Sequence, residues 1–391
     1  MREAVIVAGA RTPVGKAKKG SFANTRPDDL AALTVKEVLK RANNYDGPID
    51  DIIIGCAMPE AEQGMNMARN IGGLAGLDHD VPGITINRYC SSGLQSIAYA
   101  AERIMLGNSE AIIAGGAESM SLIPMGGHVI KPNLDLVENA PGYYMSMGHT
   151  AEEVAQRFGI SREDQDAFAA RSHEKAAKAL AEGKFDDEIV PVDVVQRTVG
   201  PENKVHETTV TVSKDEGVRA GTTPEILSKL KPAFTLGGSV TAGNASQMSD
   251  GAASVLVMDR EKAEKEGLTP IVKFRSFTVQ GVEPEIMGVG PVKAIPKAVE
   301  MAGLELSDIG LFELNEAFAS QSLQVIRELG LNEDIVNVNG GAIALGHPLG
   351  CTGTKLTVSL MNEMRRRDVK YGVVTMCIGG GMGAAGVFEL L

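Results

Sequence analysis

Two cysteines and a histidine, spread across most of the chain, are the residues whose chemistry suits acyl transfer. Cys90 stands in Asn87-Arg88-Tyr89-Cys90-Ser91-Ser92-Gly93, just ahead of Leu94, Ile97, Ala98, Ala101, Ile104 and Met105 at helical spacing. A thiol at the first turn of a helix meets the positive end of the helix dipole and unpaired N–H groups, both of which favour the thiolate. His347 lies in Gly346-His347-Pro348, where a restricted backbone leaves the imidazole at a loop tip. Cys377 closes the apolar run Gly372-Val373-Val374-Thr375-Met376. It precedes Gly379, Gly380, Gly381 and Gly383, whose bare backbone can bring N–H groups to a substrate oxygen. A nucleophilic thiol, an imidazole to activate it and a second thiol beside such donors equip a site for covalent acyl transfer.

Each residue has a plainer reading. Buried structural cysteines outnumber nucleophiles, and a histidine near a helix start is often only a turn residue. Asn315, in Asn315-Glu316-Ala317-Phe318, is by default a helix cap, with the holding of a catalytic water as the alternative. Thr241-Ala242-Gly243-Asn244-Ala245-Ser246 reads as a small-residue turn before a strand over 252–258. Glycines 381, 383 and 386 match the spacing of a dinucleotide fingerprint, but too few residues follow for its helix, strand and acidic residue.

The elements that must carry these residues alternate. Short apolar runs at 4–8, 52–55 and 111–115 read as strands, with helices over 27–41 and after Cys90. This pattern predicts an α/β body with a mainly parallel, buried sheet. The second half repeats it: a strand at 271–277, a helix at 292–302, a strand at 308–314. Cys90-Ser91-Ser92-Gly93, helix, strand and glycines also parallels Cys351-Thr352-Gly353-Thr354, helix, strand and glycines, so an internal duplication is expected. Residues 121–241 differ in texture, being richer in Met, Pro and charge, with a helix over 162–182 opened by Ser161 and Asp164. Long excursions of this kind usually serve binding. The predicted division is a first half at 1–120 completed by about 242–268, an inserted domain at 121–241 and a second half at 269–391.

With 391 residues and 43% hydrophobic content the chain can bury a full core, and a net charge of −12 argues against a nucleic-acid binder. The four cysteines form no Cys-x-x-Cys pair and have no histidine at ligand spacing, so no metal site is expected and the thiols read as reduced. No apolar run approaches the ~20 residues that span a bilayer. The start, Met1-Arg2-Glu3-Ala4, leaves no room for a signal peptide. A soluble, cytoplasmic protein is expected.

Cys90-Ser91-Ser92-Gly93, Asn315-Glu316-Ala317-Phe318, Gly346-His347-Pro348 and Cys377-Ile378-Gly379-Gly380 resemble, in order and spacing, the four signature segments of the thiolases. The resemblance covers essentially the whole chain. It implies a five-layered αβαβα body of two duplicated halves, with an inserted loop domain covering coenzyme A. By the same resemblance, Cys90 is the acylated nucleophile, His347 its base and Cys377 the second acid/base. Asn315 would hold a water that forms one oxyanion hole with His347, and the N–H groups of Cys90 and Gly379 would form the other. Coenzyme A contacts would fall on Arg219, Ser246, Met147, Phe234, Met287 and Phe318. No tightly bound cofactor is implied, only coenzyme A and acyl-CoA as substrates.

The assembly implied is a homodimer or homotetramer, with membership of a multifunctional β-oxidation complex a further implication that has no sequence signal of its own. Cys90-Ser-Ser-Gly-Leu-Gln95 and Gly350-Cys-Thr-Gly353 resemble the degradative group, which cleaves 3-ketoacyl-CoA, more than the short-chain acetyl-CoA acetyltransferases. Short-chain members carry a histidine where this chain has Ser146, which leaves more room near the acyl group. Met145, Met147 and Met287 are adaptable apolar side chains that can pack around its tail.

Overall fold

Apolar β-branched segments pair into one mixed sheet of ten strands, in a computed structural model that describes residues 2–200 and 202–391. One half of the sheet runs, in spatial order, Gly83–Ile86, Asp51–Gly55, Ala111–Ser119, Ser249–Asp259 and Ala4–Arg11. Its first three strands are parallel and the two pairings after them antiparallel. The other half runs Leu311–Leu314, Tyr371–Ile378, Met382–Leu390 and Val272–Gly281, with one parallel pairing followed by two antiparallel ones. A parallel bridge from Phe312 to Val336 stands where the first half has Gly83–Ile86. Both halves therefore thread their strands in the same order, as an internal duplication requires. They join through the Val5–Lys273 and Ile6–Val272 pairs.

Helices make the remaining layers. Pro27–Arg41 covers the outer face of the first half-sheet and Gly290–Met301 that of the second. Between the two halves of the sheet, Ser92–Met105 and Leu349–Arg367 pack on each other. The stripe Leu94, Ile97, Ala98, Ala101 and Ile104 is wholly buried there. Close approach of these two helices needs glycine at both crossing points. A Cβ at Gly353 would sit 2.2 Å from the Leu94 nitrogen, and one at Gly93 2.8 Å from the Gly350 carbonyl oxygen. The contact brings the N-terminal ends of both helices side by side, and Cys90 and His347 precede those ends.

The sheet is not mainly parallel as expected, because each half closes with antiparallel strands, Ser249–Asp259 and Ala4–Arg11 in the first and Met382–Leu390 and Val272–Gly281 in the second. Several boundaries also differ from expectation. The strand expected over 308–314 is only Leu311–Leu314, because Leu306–Asp308 forms a 3₁₀ turn closed by reciprocal bonds between Glu305 and Asp308. The strand expected at 252–258 extends to Ser249–Asp259. At the start of the helix Arg162–Ala181, Ser161 accepts from the Asp164 N–H at 3.1 Å. The Asp164 carboxylate does not close the box, since it pairs with Arg327 at 2.8 Å.

Residues 121–241 hold the helices Leu134–Asn139, Met147–Phe158, Arg162–Ala181 and Pro224–Leu227 and a ribbon of Val192–Val199 with Val205–Val212. Arg11, on the first strand, anchors this excursion. Its buried guanidinium pairs with Glu188 and with Asp215, each at 2.7 Å. Removing one member of such a buried set would strand a charge, typically costing about 3–5 kcal/mol. Among the described residues, no helix is long and apolar enough to cross a membrane.

Candidate active site

The first half delivers Cys90. The strand Gly83–Ile86 leads to a 3₁₀ turn, Tyr89–Ser91, and the helix Ser92–Met105 follows at once. Tyr89 takes φ of 44°, an uncommon backbone for a bulky residue, so the chain bends sharply just ahead of the thiol. Two side chains hold the bend: Asn87 accepts from the Tyr89 N–H, and Ser92 Oγ donates to the Tyr89 carbonyl, both at 2.8 Å. The backbone N–H groups of Gly379 and of Cys90 itself favour the thiolate and draw the thiol pKa down. Burial outweighs them and pushes it up to about 12. The thiolate expected from the helix start is thus not the resting form. That expectation counted dipole and donors but not the desolvation of a residue only 8% exposed.

The second half delivers His347. Gly346 precedes it at φ 94°, and a Cβ there would lie 2.3 Å from Ser249 Oγ. The His347 N–H donates to the Gln247 carbonyl at 3.1 Å, which fixes the loop tip against the 241–248 turn. His347 Nδ1 lies 2.6 Å from Thr352 Oγ1, and Nε2 lies 3.3 Å from Asn315 Nδ2. Burial first, and Lys355 second, lower the imidazole pKa to about 3, so the ring is neutral at pH 7. No hydrogen bond joins His347 to either thiol among the described residues.

Asn315 follows directly on the strand Leu311–Leu314, and the next helix begins only at Ala319, so Asn315 is not a helix cap. Its Oδ1 is buried without a hydrogen-bond partner. Such an atom is costly unless something binds there. Cys377, fully buried, sits close enough to Cys90 for a charge on one to raise the pKa of the other. Burial is the larger cause of its upward shift. Of the glycines after it, Gly379 faces Cys90. Gly383 instead pairs within the sheet and meets Gly290, where a Cβ would clash at 2.0 Å, so it serves packing and not oxygen binding.

Met147, Met287 and Phe318 pack with Cys377 in one apolar cluster. Phe234 meets Phe318 edge-on, with ring centroids 6.1 Å apart. Ser246 is tied to the same wall by its N–H, which donates to the Ala317 carbonyl at 2.9 Å. Arg219 is not in this group. It is exposed, and its N–H donates to Nδ1 of buried His173 at 3.2 Å. The room expected at Ser146 is partly taken, because Ser146 Oγ holds His149 Nδ1 at 2.6 Å.

Two residues of the site had no role assigned from the sequence. Thr352 holds the His347 ring, as described. Glu118, at the end of the strand Ala111–Ser119, accepts from the Gly350 and Ala57 N–H groups at 2.8 and 2.7 Å and from Gln63 Nε2 at 2.7 Å. Burial raises the carboxyl pKa, and these donors, all of which favour the ionised form, oppose that shift. Glu118 thereby ties the first turn after His347-Pro348 to the half that carries Cys90. Among the described residues, no group of three His, Cys, Asp or Glu could hold a metal, and all four cysteines are free.

A duplicated α/β body that buries two thiols near each other together with a neutral imidazole belongs to the class of enzymes that transfer acyl groups through cysteine. The chain belongs to the thiolase family: its residues 4–261 match the thiolase N-terminal domain and 268–390 the thiolase C-terminal domain. It is 72% identical to a 3-ketoacyl-CoA thiolase of Bacillus subtilis (strain 168) over 390 residues, all of both chains. The Bacillus anthracis acetyl-CoA acetyltransferase structure superimposes with a TM-score of 0.90 at 41% identity, covering 100% of this chain and 99% of that one. The dimeric peroxisomal thiolase of Saccharomyces cerevisiae does so with 0.88 at 39%, covering 100% and 98%.

Proposed function

We propose that this protein is a 3-ketoacyl-CoA thiolase, cleaving 3-ketoacyl-CoA with coenzyme A to acetyl-CoA and a shortened acyl-CoA. It works by a ping-pong mechanism through an acyl-Cys90 intermediate, as in fatty acid β-oxidation. The full-length 72% identity to a 3-ketoacyl-CoA thiolase, against 41% to the acetyltransferase, favours this over acetoacetyl-CoA synthesis. The observation that carries the chemistry is a buried His347, held by Thr352 Oγ1 and Asn315 Nδ2 with Asn315 Oδ1 left without a partner, in a body that also buries the Cys90 and Cys377 thiols.

His347 Nε2 takes the Cys90 proton, which the buried thiol does not lose unaided. The thiolate attacks the 3-keto carbon. Charge on its oxygen is held by donors preorganised in a dry site: the N–H groups of Cys90 and Gly379, or His347 with a water bound at Asn315. The C2–C3 bond breaks, and the electron pair left on C2 takes the Cys377 proton, giving acetyl-CoA. The Cys377 thiolate then deprotonates incoming coenzyme A, whose sulfur attacks the acyl-Cys90 carbonyl. Cys90 leaves as thiolate and regains its proton from His347.

Met147, Met287, Phe234, Phe318 and Ser246 would flank the pantetheine, as one wall adjoining Cys377, within a loop domain at 121–241. Arg219 would meet the nucleotide end from outside that wall, an arrangement its exposure and fixed charge allow. A homodimer, or a dimer of dimers, is proposed by extension from the dimeric yeast neighbour. The open sheet edge at Gly83–Ile86, with Ile84 exposed, supports it. A cytoplasmic location is proposed, and co-purification with the other β-oxidation activities tests membership of a multifunctional complex. Thiolysis of acetoacetyl-CoA and longer 3-ketoacyl-CoAs, followed by loss of enolate absorbance, tests the reading. Inactivity at every chain length would sink it.

A further inference from the structure

Past His347, the helix Leu349–Arg367 carries Thr352, Lys355, Ser359 and Glu363, three or four residues apart and so on one face. Three of them have partners that account for them. Thr352 holds the His347 ring, Ser359 donates to Glu188 at 3.1 Å, and Glu363 accepts from Asn339 at 2.9 Å. Lys355 has none. It is 1% exposed, and among the described residues its ammonium makes no hydrogen bond or ion pair. Across from it stands Glu313. Leu311 packs in the same cluster as Leu356 and Leu360 of this helix, while Phe312 and Leu314 pack in another. Alternation along the strand therefore turns Glu313 toward the helix, two residues before Asn315 meets His347. Lys355 thus lies one helical turn behind the residue that grips the imidazole.

The charges around Lys355 balance only when it is cationic. Arg11 is one guanidinium against two carboxylates, Glu188 and Asp215. Glu313 does not enlarge that excess at neutral pH, because burial pushes it up to about 8. The Lys355 ammonium supplies the missing positive charge, without which a carboxylate would be buried uncompensated. Around His347, by contrast, no carboxylate offsets that ammonium. Cys90 and Cys377 are thiols that burial keeps protonated. Glu118 is turned to the Ala57 and Gly350 N–H groups, and Glu316 to Ser172 and Asn337. The Gln247 turn brings only a carbonyl.

We propose that Lys355 is a positioning residue for acyl transfer, a fixed positive charge behind His347 that makes the ring give back the proton it takes from Cys90. The proposal rests on the acyl-Cys90 reading. While the acyl group is on Cys90, that proton sits on His347 Nε2, and an imidazolium is repelled by the ammonium one turn away. Discharge by coenzyme A returns the proton to Cys90 Sγ and relieves the repulsion. Lys355 therefore raises the acyl-enzyme relative to the free enzyme and keeps it from becoming a resting state. The neutral ring of the free enzyme agrees, with burial its first cause and Lys355 its second.

Lys355→Met alone would leave one carboxylate uncompensated, so the test pairs it with Glu188→Gln. Glu188 Oε1 accepts from Arg11 and Ser359 while Oε2 has no partner, so an amide oxygen can keep those bonds. The double variant and Lys355→Arg are compared with wild type in single-turnover acylation by a 3-ketoacyl-CoA and in discharge by coenzyme A. In the double variant acylation should stay within about threefold and discharge should slow by about tenfold. That is roughly what a unit charge about 10 Å away does at an effective dielectric of about 20. Lys355→Arg should keep both rates within about threefold. NMR of ¹³C-labelled histidine, with six histidines in the chain, reads the ring directly. The protonated fraction of His347 at pH 5 should rise about tenfold in the double variant and stay unchanged in Lys355→Arg. Equal slowing of both steps with an unchanged His347 titration, or discharge at the wild-type rate, would overturn the proposal. So would a Lys355→Arg enzyme that behaves like the double variant. A wild type that forms no acyl-Cys90 would overturn the acyl-enzyme reading itself, and the titration would still decide whether Lys355 acts on the ring.

Discussion

Thr352 Oγ1 lies 2.6 Å from His347 Nδ1 and donates its own proton to the Pro348 carbonyl at 2.9 Å, so toward the imidazole the hydroxyl is an acceptor. Nδ1 must then carry the ring proton, and Nε2 keeps a lone pair, to which Asn315 Nδ2 points. That tautomer is the one a base for Cys90 requires. Thr352→Val should therefore lower kcat by about 5- to 100-fold through lost orientation and an unsatisfied Nδ1–H, with the KM for coenzyme A little changed. Thr352→Ser should restore most of the rate. A Thr352→Val enzyme at the wild-type rate would remove the tautomer argument.

Glu118 exerts two effects of opposite sign on catalysis. It fixes the turn at Gly350, and its charge helps to hold the Cys90 thiol protonated. Glu118→Gln should slow turnover and destabilise the fold by about 1–3 kcal/mol, since an amide NH₂ would face backbone donors. The same change should speed alkylation of Cys90 by iodoacetamide at fixed pH, because the thiol pKa falls. A purely structural role would slow both rates, so parallel losses would refute the electrostatic half of this account.

Acid should destabilise the protein through its buried imidazoles. Burial lowers His347 to about 3 and His173 to about 4, whereas both titrate near 6.5 once unfolded. As pH falls below about 6.5 the unfolded chain binds protons first, and stability drops by up to about 1.4 kcal/mol per pH unit for each ring until its folded pKa is reached. Glu313, pushed up to about 8 by burial, acts with the opposite sign over the same range. The measurement is therefore the difference in urea midpoint between wild type and His173→Gln from pH 7 to 5. The two should converge as pH falls, and a constant gap would mean His173 is not held neutral.

Cys377 should separate from Cys90 in function. In Cys377→Ala, exchange of the acetyl-CoA α-protons with solvent should fall by about 10²–10⁴-fold, the usual cost of a lost acid/base group. Acylation of Cys90 by acetyl-CoA should fall far less. Wild-type exchange in that variant would exclude Cys377 as the carbon acid/base.

The duplication could be read from paired motifs because each half repeats a local pattern, and the strand order bears it out. Cys90, His347 and Cys377 stood out for a similar reason: reactive residue types beside glycine and proline. Glu118 did not, because its partners are backbone and amide groups from segments far along the chain, and Thr352, though only five residues from His347, reads in sequence as one more small helix-start residue. The Cys90 thiol was misjudged because donors are local and visible, while the burial that overrides them comes from both halves at once.

The most direct test of the account is the site of acylation. Wild-type protein pulsed with a 3-ketoacyl-CoA, without free coenzyme A, and quenched in acid should gain the mass of one shortened acyl group, mapped by peptide fragmentation to Cys90. Added coenzyme A should discharge it, and Cys90→Ala should neither label nor turn over. An adduct on Cys56, Cys351 or Cys377 alone, or turnover in Cys90→Ala, would contradict the mechanism.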